Sequence, residues 1–155
     1  MLDFVPNHTA LDHIWENKRI SPHLCQGPEE SVDYEIQTFY DQLLKILKHP
    51  LFHEGSWVKL DPMPVETDNL TFDHFIAYLW QKDGEIPNLV VVNFSETSGK
   101  CYVPLQFKWL QGQPVRLMDQ FGMNVSQHTG DSLFHPGFLF EAEPWQYCVI
   151  ILEII

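Results

Sequence analysis

Leu89-Val90-Val91-Val92-Asn93-Phe94-Ser95 is the stretch on which the fold turns. Four apolar residues in a row, three of them β-branched, are too few for a buried helix and too apolar for a strand with one wet face. Residues 89–94 are therefore predicted as a strand buried on both sides, of the kind found in a sandwich core. Just upstream, residues 75–81 alternate Phe75, Ala77 and Leu79 against Ile76, Tyr78 and Trp80, so both faces are again apolar. Asp83-Gly84 is a hairpin signal between these runs, with Glu85-Ile86-Pro87 lengthening the connection. Downstream, the turn-rich link 95–100 contains Ser98-Gly99 and leads to further strand candidates at 101–107, 115–119 and 138–141. The run 147–154 is the strongest of all. On the other side, a short strand carries Trp57, Val58, Lys59 and Leu60 before the Pro62-Met63-Pro64 turn. Residues 63–69 and 123–136 read as loops. Six to eight short strands with regular turn signals predict a mainly β protein, an antiparallel Greek-key β-sandwich or a Greek-key barrel.

One helix precedes it. Over residues 31–48, Val32, Ile36, Phe39, Leu43 and Leu47 fall at i, i+4, i+7, i+11 and i+15, and Tyr40, Leu44 and Ile46 broaden the stripe. Ser31 is the expected N-cap, Asp33 and Glu35 suit the first turn, Lys45, Lys48 and His49 suit the last, and Pro50 ends the helix. Residues 1–30 lack periodicity and contain Pro6, Pro22, Gly27 and Pro28, which reads as an arm. The expected organisation is an N-terminal arm at 1–30 and a helix plus β-sandwich at 31–155.

The chain has 155 residues, 45% hydrophobic and 14% aromatic, enough for one packed core. Nine Lys and Arg stand against 21 Asp and Glu, a net charge of −12. No basic cluster interrupts that balance, so nucleic acid is excluded as a partner and neutral ligands such as sugars are favoured. Three cysteines, Cys25, Cys101 and Cys148, show no C-x-x-C spacing and fit a reducing compartment; the last two sit in apolar runs and are expected in the core. No basic, apolar leader opens the chain, and the run 148–152 is far too short to span a bilayer, so a cytoplasmic location is the expectation.

Two regions resemble the alpha-amylase superfamily, glycoside hydrolase family 13. Asp3-Phe4-Val5-Pro6-Asn7-His8-Thr9, with Asp12-His13 and Trp15, is similar to that family's first conserved region at the end of a barrel strand. The second region runs from Phe39-Tyr40 through Leu47, Pro50-Leu51, Glu54-Gly55 and Trp57, then Ile76-Ala77-Tyr78 and the run 89–95. It is similar to the last barrel helix and the opening hairpin of the family's C-terminal β-sandwich. The resemblance implies that Asp3 and His8 would face a sugar subsite, and that Asn7 would hold a loop or a calcium. The family's G-x-R-x-D nucleophile region and its later His-Asp pair have no match. About 20 residues separate the two matching regions, where a (β/α)₈ barrel needs roughly 250 residues. The arrangement reads as an internal deletion that removed most of the barrel.

Glycoside hydrolysis needs two carboxylates about 5–10 Å apart, one with a raised pKa. Asp3, Asn7 and His8 are thus expected to be a family-matching remnant rather than a working site. His8, Asp12 and His13 have only loose ligand spacing, and no H-E-x-x-H or Gly-rich phosphate loop occurs, so no metal and no cofactor is expected. Sugar stacking on an aromatic ring is the residual function, with Trp57, Trp80, Trp109, Trp145, Tyr102 and Tyr147 as candidates. Trp80 and Tyr147 lie within strand patterns and are expected in the core, and Trp109, beside the Gln111-Gly112-Gln113 turn, leads with Tyr102.

The expected function is a non-catalytic amylase-like remnant, a structural or weakly carbohydrate-binding sandwich in alpha-glucan metabolism, whose partner would be an alpha-glucan or maltooligosaccharide. Two alternatives stand beside it. One is a glycoside hydrolase active only with another chain. The other is a self-associating module, a homodimer paired through the helix at 31–48.

Overall fold

A computed structural model describes residues 33–122 and 124–155. The chain divides into two compact units, residues 1–37 and 38–155. Of the first unit only the start of helix α1 (Tyr34–Leu47) is described. The arm expected at 1–30, with Asp3, Asn7, His8 and Cys25, lies outside the described residues. At the start of α1 an Asp33 carboxylate oxygen accepts from the Glu35 and Ile36 N–H groups at 3.0 and 3.2 Å. Asp33 thus caps these N–H groups, while Ser31, the expected N-cap, lies outside the described residues.

The second unit is the predicted antiparallel β-sandwich. Its larger layer is a six-stranded sheet in the order β1-β2-β3-β8-β5-β6, built from β1 (Ser56–Leu60), β2 (Phe75–Gln81), β3 (Asn88–Asn93), β8 (Tyr147–Ile154), β5 (Pro114–Asp119) and β6 (Val125–Thr129). The second layer pairs β4 (Gly99–Val103) with β7 (Phe138–Ala142). β8 returns from the far end of the chain to lie between β3 and β5, the long return of a Greek key.

Period two explains how the layers meet. Phe75, Ala77 and Leu79 of β2, Leu89 and Val91 of β3, and Cys148, Ile150 and Leu152 of β8 all face inward. They bury against Cys101 and Val103 of β4 and Phe140 and Ala142 of β7 in one core. The Phe75 and Phe140 rings join the layers edge to face, centroids 5.8 Å apart. The other face of β2 and β8 is apolar as well, because helices cover part of it. Phe39 of α1 stacks on Phe121 at 5.8 Å and meets the edge of Tyr147 at 5.5 Å. Phe52, in the one-turn helix α2 (Leu51–Glu54), packs on Trp80 at 5.6 Å. Leu51 beside it is fully buried.

Four local expectations need correction. The half-buried edge of α1 is Phe39, Leu43 and Ile46, whereas Ile36 and Leu47 of the predicted stripe are exposed. Pro50 does not simply stop a helix; it opens α2, since its fixed φ suits a first turn. β3 ends at Asn93, and Phe94 stands outside it, exposed. Residues 123–136, predicted as a loop, contain β6 and the short helix α3 (Gly130–Phe134). β6 is an edge strand with a mostly wet burial pattern, so it carries none of the apolar alternation that marks a strand.

Cys101 and Cys148 are buried and free, as predicted. Burial pushes the Cys101 thiol up to about 12 and the Cys148 thiol higher still, with Asp119 adding to the latter shift. Both should therefore resist a thiol reagent at pH 8 in the native protein and react once guanidinium unfolds it; rapid native labelling of either would contradict the packing. The unfolded chain begins to lose these protons near pH 8.5 while the folded one keeps them, so stability should fall as pH rises beyond that point. Among the described residues no helix is long and apolar enough to cross a membrane.

Candidate functional site

A groove of about 920 Å³ opens among the described residues. Three structural facts create it. The β2–β3 connection contributes residues 82–87 to the lining and turns at Gly84, whose φ of +80° a side chain would resist. The end of β8 lies alongside, tied by the Leu152 N–H to the Pro87 carbonyl at 3.0 Å. A single 3₁₀ turn, Lys108–Leu110, then brings Trp109 to the rim.

That turn is held from below. Leu110 is fully buried, so its neighbour Trp109 must point away from the core and remains 38% exposed. The Gly130 N–H donates to the Gln113 carbonyl at 2.8 Å, and the Gly112 N–H donates to the Asp131 carboxylate at 3.1 Å. Thr129 caps α3 by accepting from the Ser132 N–H. Trp109 thus sits on backbone fixed from two sides, with Phe107 packed beside its ring at 5.8 Å.

The groove mixes apolar and polar side chains in its lining, with Ile86, Pro87 and Leu152 beside the polar ones. Glu54, Gln81, Lys82, Glu85 and Glu153 all line it. Lys82 Nζ donates to Glu54 Oε2 at 2.7 Å. This bond holds the Glu54 carboxyl below the usual carboxylate range and raises the Lys82 ammonium. Glu153 accepts from the Arg116 guanidinium at 2.9 Å. A general acid for glycoside cleavage needs a carboxyl pushed up by burial or by a like charge. The Glu54 shift runs the other way. The groove can stack an apolar ring face on Trp109 and hydrogen-bond hydroxyls around it, which is binding chemistry.

Of the candidates from sequence, Trp109 is therefore in the groove. Tyr102 is not among the residues lining it. It sits half-buried on β4 opposite Leu139, and its backbone N–H and C=O bridge to Met63 at 2.9 and 2.7 Å. Among the described residues no group of three or more His, Cys, Asp or Glu side chains is placed to hold a metal ion. Glu54, Lys82 and Glu153 escaped the sequence reading because no spacing links them; only the sheet order brings their elements together.

No family profile matches the sequence, and no curated protein matches it. Solved structures do match. A noncanonic maltogenic alpha-amylase, AmyB from Thermotoga neapolitana, aligns over 83% of this chain with a TM-score of 0.55 and 15% identity. The trehalulose synthase MutB from Pseudomonas mesoacidophila aligns over 76% with a TM-score of 0.48 and 20% identity. The chain spans 28% of the amylase's length and 18% of the synthase's. The likeness to AmyB establishes that this fold is shared with part of an alpha-amylase.

Proposed function

We propose that this sandwich is a non-catalytic, weakly carbohydrate-binding module of the alpha-amylase type, acting on the side of alpha-glucan recognition rather than cleavage. The observation that carries the reading is Trp109, an exposed indole lining a groove that also presents the hydrogen-bonding side chains of Gln81, Glu85 and Glu153. The C–H face of a pyranose stacks on such a ring without needing a charge, while its hydroxyls find Glu85, Gln81 and Glu153. The net charge of −12 discourages anionic ligands and leaves a neutral sugar unopposed. The downward shift of Glu54 supports binding over hydrolysis. The fold shared with part of an amylase supports the choice of an alpha-glucan.

Maltoheptaose tests this directly. Titrated into ¹⁵N-labelled protein, it should move the Trp109 indole signal saturably, with a dissociation constant of about 1 mM. Trp109→Ala should weaken groove binding by about five- to thirtyfold, the roughly 1–2 kcal/mol that one stacked ring supplies. Proton spectra over a day should show no new reducing-end anomeric signals. An unmoved Trp109 indole would remove the binding reading, and new reducing ends would remove the non-catalytic one.

A further inference from the structure

At the end of the β3–β8 ladder opposite the Trp109 groove, two aromatic rings stand out from the surface. Phe94 is 65% exposed and Trp145 56%, and their centroids lie 5.5 Å apart at an interplanar angle of 89°. The two rings form a corner, one offering its face beside the edge of the other. Trp145 also has φ of +61°, alone in this respect among the described non-glycine residues. A bulky L side chain is strained there, because its Cβ crowds the neighbouring carbonyl; glycine or asparagine usually fills such a turn. Strain at an exposed aromatic does nothing for the core, and such outliers gather where a ligand is held.

The corner is rigidly built. The Trp145 N–H donates to the Ser95 carbonyl at 3.1 Å, joining the loop after β3 to the turn before β8. Within that turn the Gln146 N–H donates to the Glu143 carbonyl at 3.1 Å, and the Glu143 N–H donates to Gln146 Oε1 at 2.8 Å. Buried Asn93 staples both loops from beneath, donating to the Thr97 and Glu143 carbonyls at 2.8 and 2.9 Å. Ser98 Oγ donates to Glu143 Oε2 at 2.7 Å, and the Ser95 and Thr97 hydroxyls share a bond of 3.0 Å. A site ordered in advance loses little freedom when it binds.

Composition narrows the ligand. Residues 93–98 and 143–147 contain Glu96 and Glu143 but no lysine or arginine, so nothing there would hold a phosphate or carboxylate. Two rings fall far short of the roughly 800 Å² per partner that a stable protein interface buries. Aromatic faces ringed by hydroxyls and carboxylates suit a neutral, C–H-rich polyol. We propose that Phe94 and Trp145 form a second carbohydrate platform, stacking the apolar face of one neutral hexopyranose unit, with Ser95, Thr97 and Glu143 offered to its hydroxyls. The ligand class is the one proposed for the groove, and the two sites stand or fall separately.

The test follows both indoles in the whole protein. Trp145→Gly removes the ring and suits the left-handed backbone, so Tm should hold within about 4 °C, and the signal it deletes identifies the Trp145 indole. Maltoheptaose to about 10 mM should shift that indole saturably in the wild type, and with the same midpoint within about twofold in Trp109→Ala. In Trp145→Gly the Trp109 response should be unchanged. A Trp145 indole unmoved by the sugar in both wild type and Trp109→Ala overturns the proposal whatever Trp109 does. So does a collapse of Tm in Trp145→Gly, which would make the ring structural.

Discussion

Gly130→Ala is expected to destabilise the protein by about 3–5 kcal/mol and to lower Tm by about 10–20 °C. A Cβ at Gly130 would clash with the Leu110 carbonyl oxygen and carbon. These are backbone atoms, so no side-chain rotation relieves the clash. Neither side can retreat cheaply. Leu110 is fully buried, Leu133 of α3 is fully buried, and the Gly130 N–H is bonded to Gln113. The loss would be a large share of the 5–15 kcal/mol that holds an ordinary domain together. Gly112 supplies the control. It has φ of +69° with nothing within 4 Å of the added Cβ, so Gly112→Ala meets only backbone strain and should cost about 1 kcal/mol.

The same contact reaches the candidate site. Leu110 follows Trp109 in the 3₁₀ turn, so pushing the Leu110 carbonyl away from α3 moves the indole off the groove rim. The fraction of Gly130→Ala that stays folded below its Tm should therefore bind maltoheptaose as poorly as Trp109→Ala does. Thermal melting by circular dichroism reads the first effect and the sugar titration reads the second. A Tm within about 3 °C of wild type would show that the two turns are not in contact.

How much of this was legible in the sequence varies by element. β2 and β8 read true because both their faces are apolar, one for the core and one for the helices, so hydrophobicity alone marks their whole length. β6 and α3 were invisible for the opposite reason. An edge strand with a wet burial pattern has no alternation to read, and a five-residue helix is too short for a period of 3.6 to appear. Phe94 was misplaced because hydrophobicity continues one residue past the last inward position, Asn93, and nothing in a string of letters says that the chain turns outward there. In α1 the apolar stripe is wider than the edge that the sheet covers, so periodicity found the helix and its half-buried Phe39, Leu43 and Ile46 but did not separate them from exposed Ile36 and Leu47. The groove was legible at Trp109 only, through the Gly112 turn beside it. Its polar lining residues come from α2, the β2–β3 connection and the end of β8, which meet only through strand order.

Asn93 should be the most sensitive polar residue in the described structure, and charge should decide how sensitive. It is fully buried, and its amide donates to the Thr97 and Glu143 carbonyls at 2.8 and 2.9 Å. Asn93→Ala leaves those acceptors without a donor and should cost about 2–3 kcal/mol at any pH. Asn93→Asp keeps the shape but replaces the donor with an oxygen aimed at the same carbonyls. Burial and those dipoles disfavour the anion, so the new carboxyl in the folded state should titrate well above the value near 3.9 of the unfolded chain. Below about pH 4 both states are protonated, the acid can still donate one hydrogen bond, and the penalty for ionisation vanishes. As pH rises past 4, the unfolded chain ionises first. Stability relative to wild type should then fall by about 1.4 kcal/mol per pH unit until the folded carboxyl also titrates. At pH 7 the aspartate variant should be the worse of the two, by about 3–5 kcal/mol against wild type. Near pH 4 it should be the better. Guanidinium melts of both variants and wild type at pH 4, 5.5 and 7 would show this crossing. Parallel lines, with Asp and Ala equally impaired at every pH, would mean that the Asn93 amide does not face those carbonyls. The loop after β3 and the turn carrying Trp145 would then need another staple.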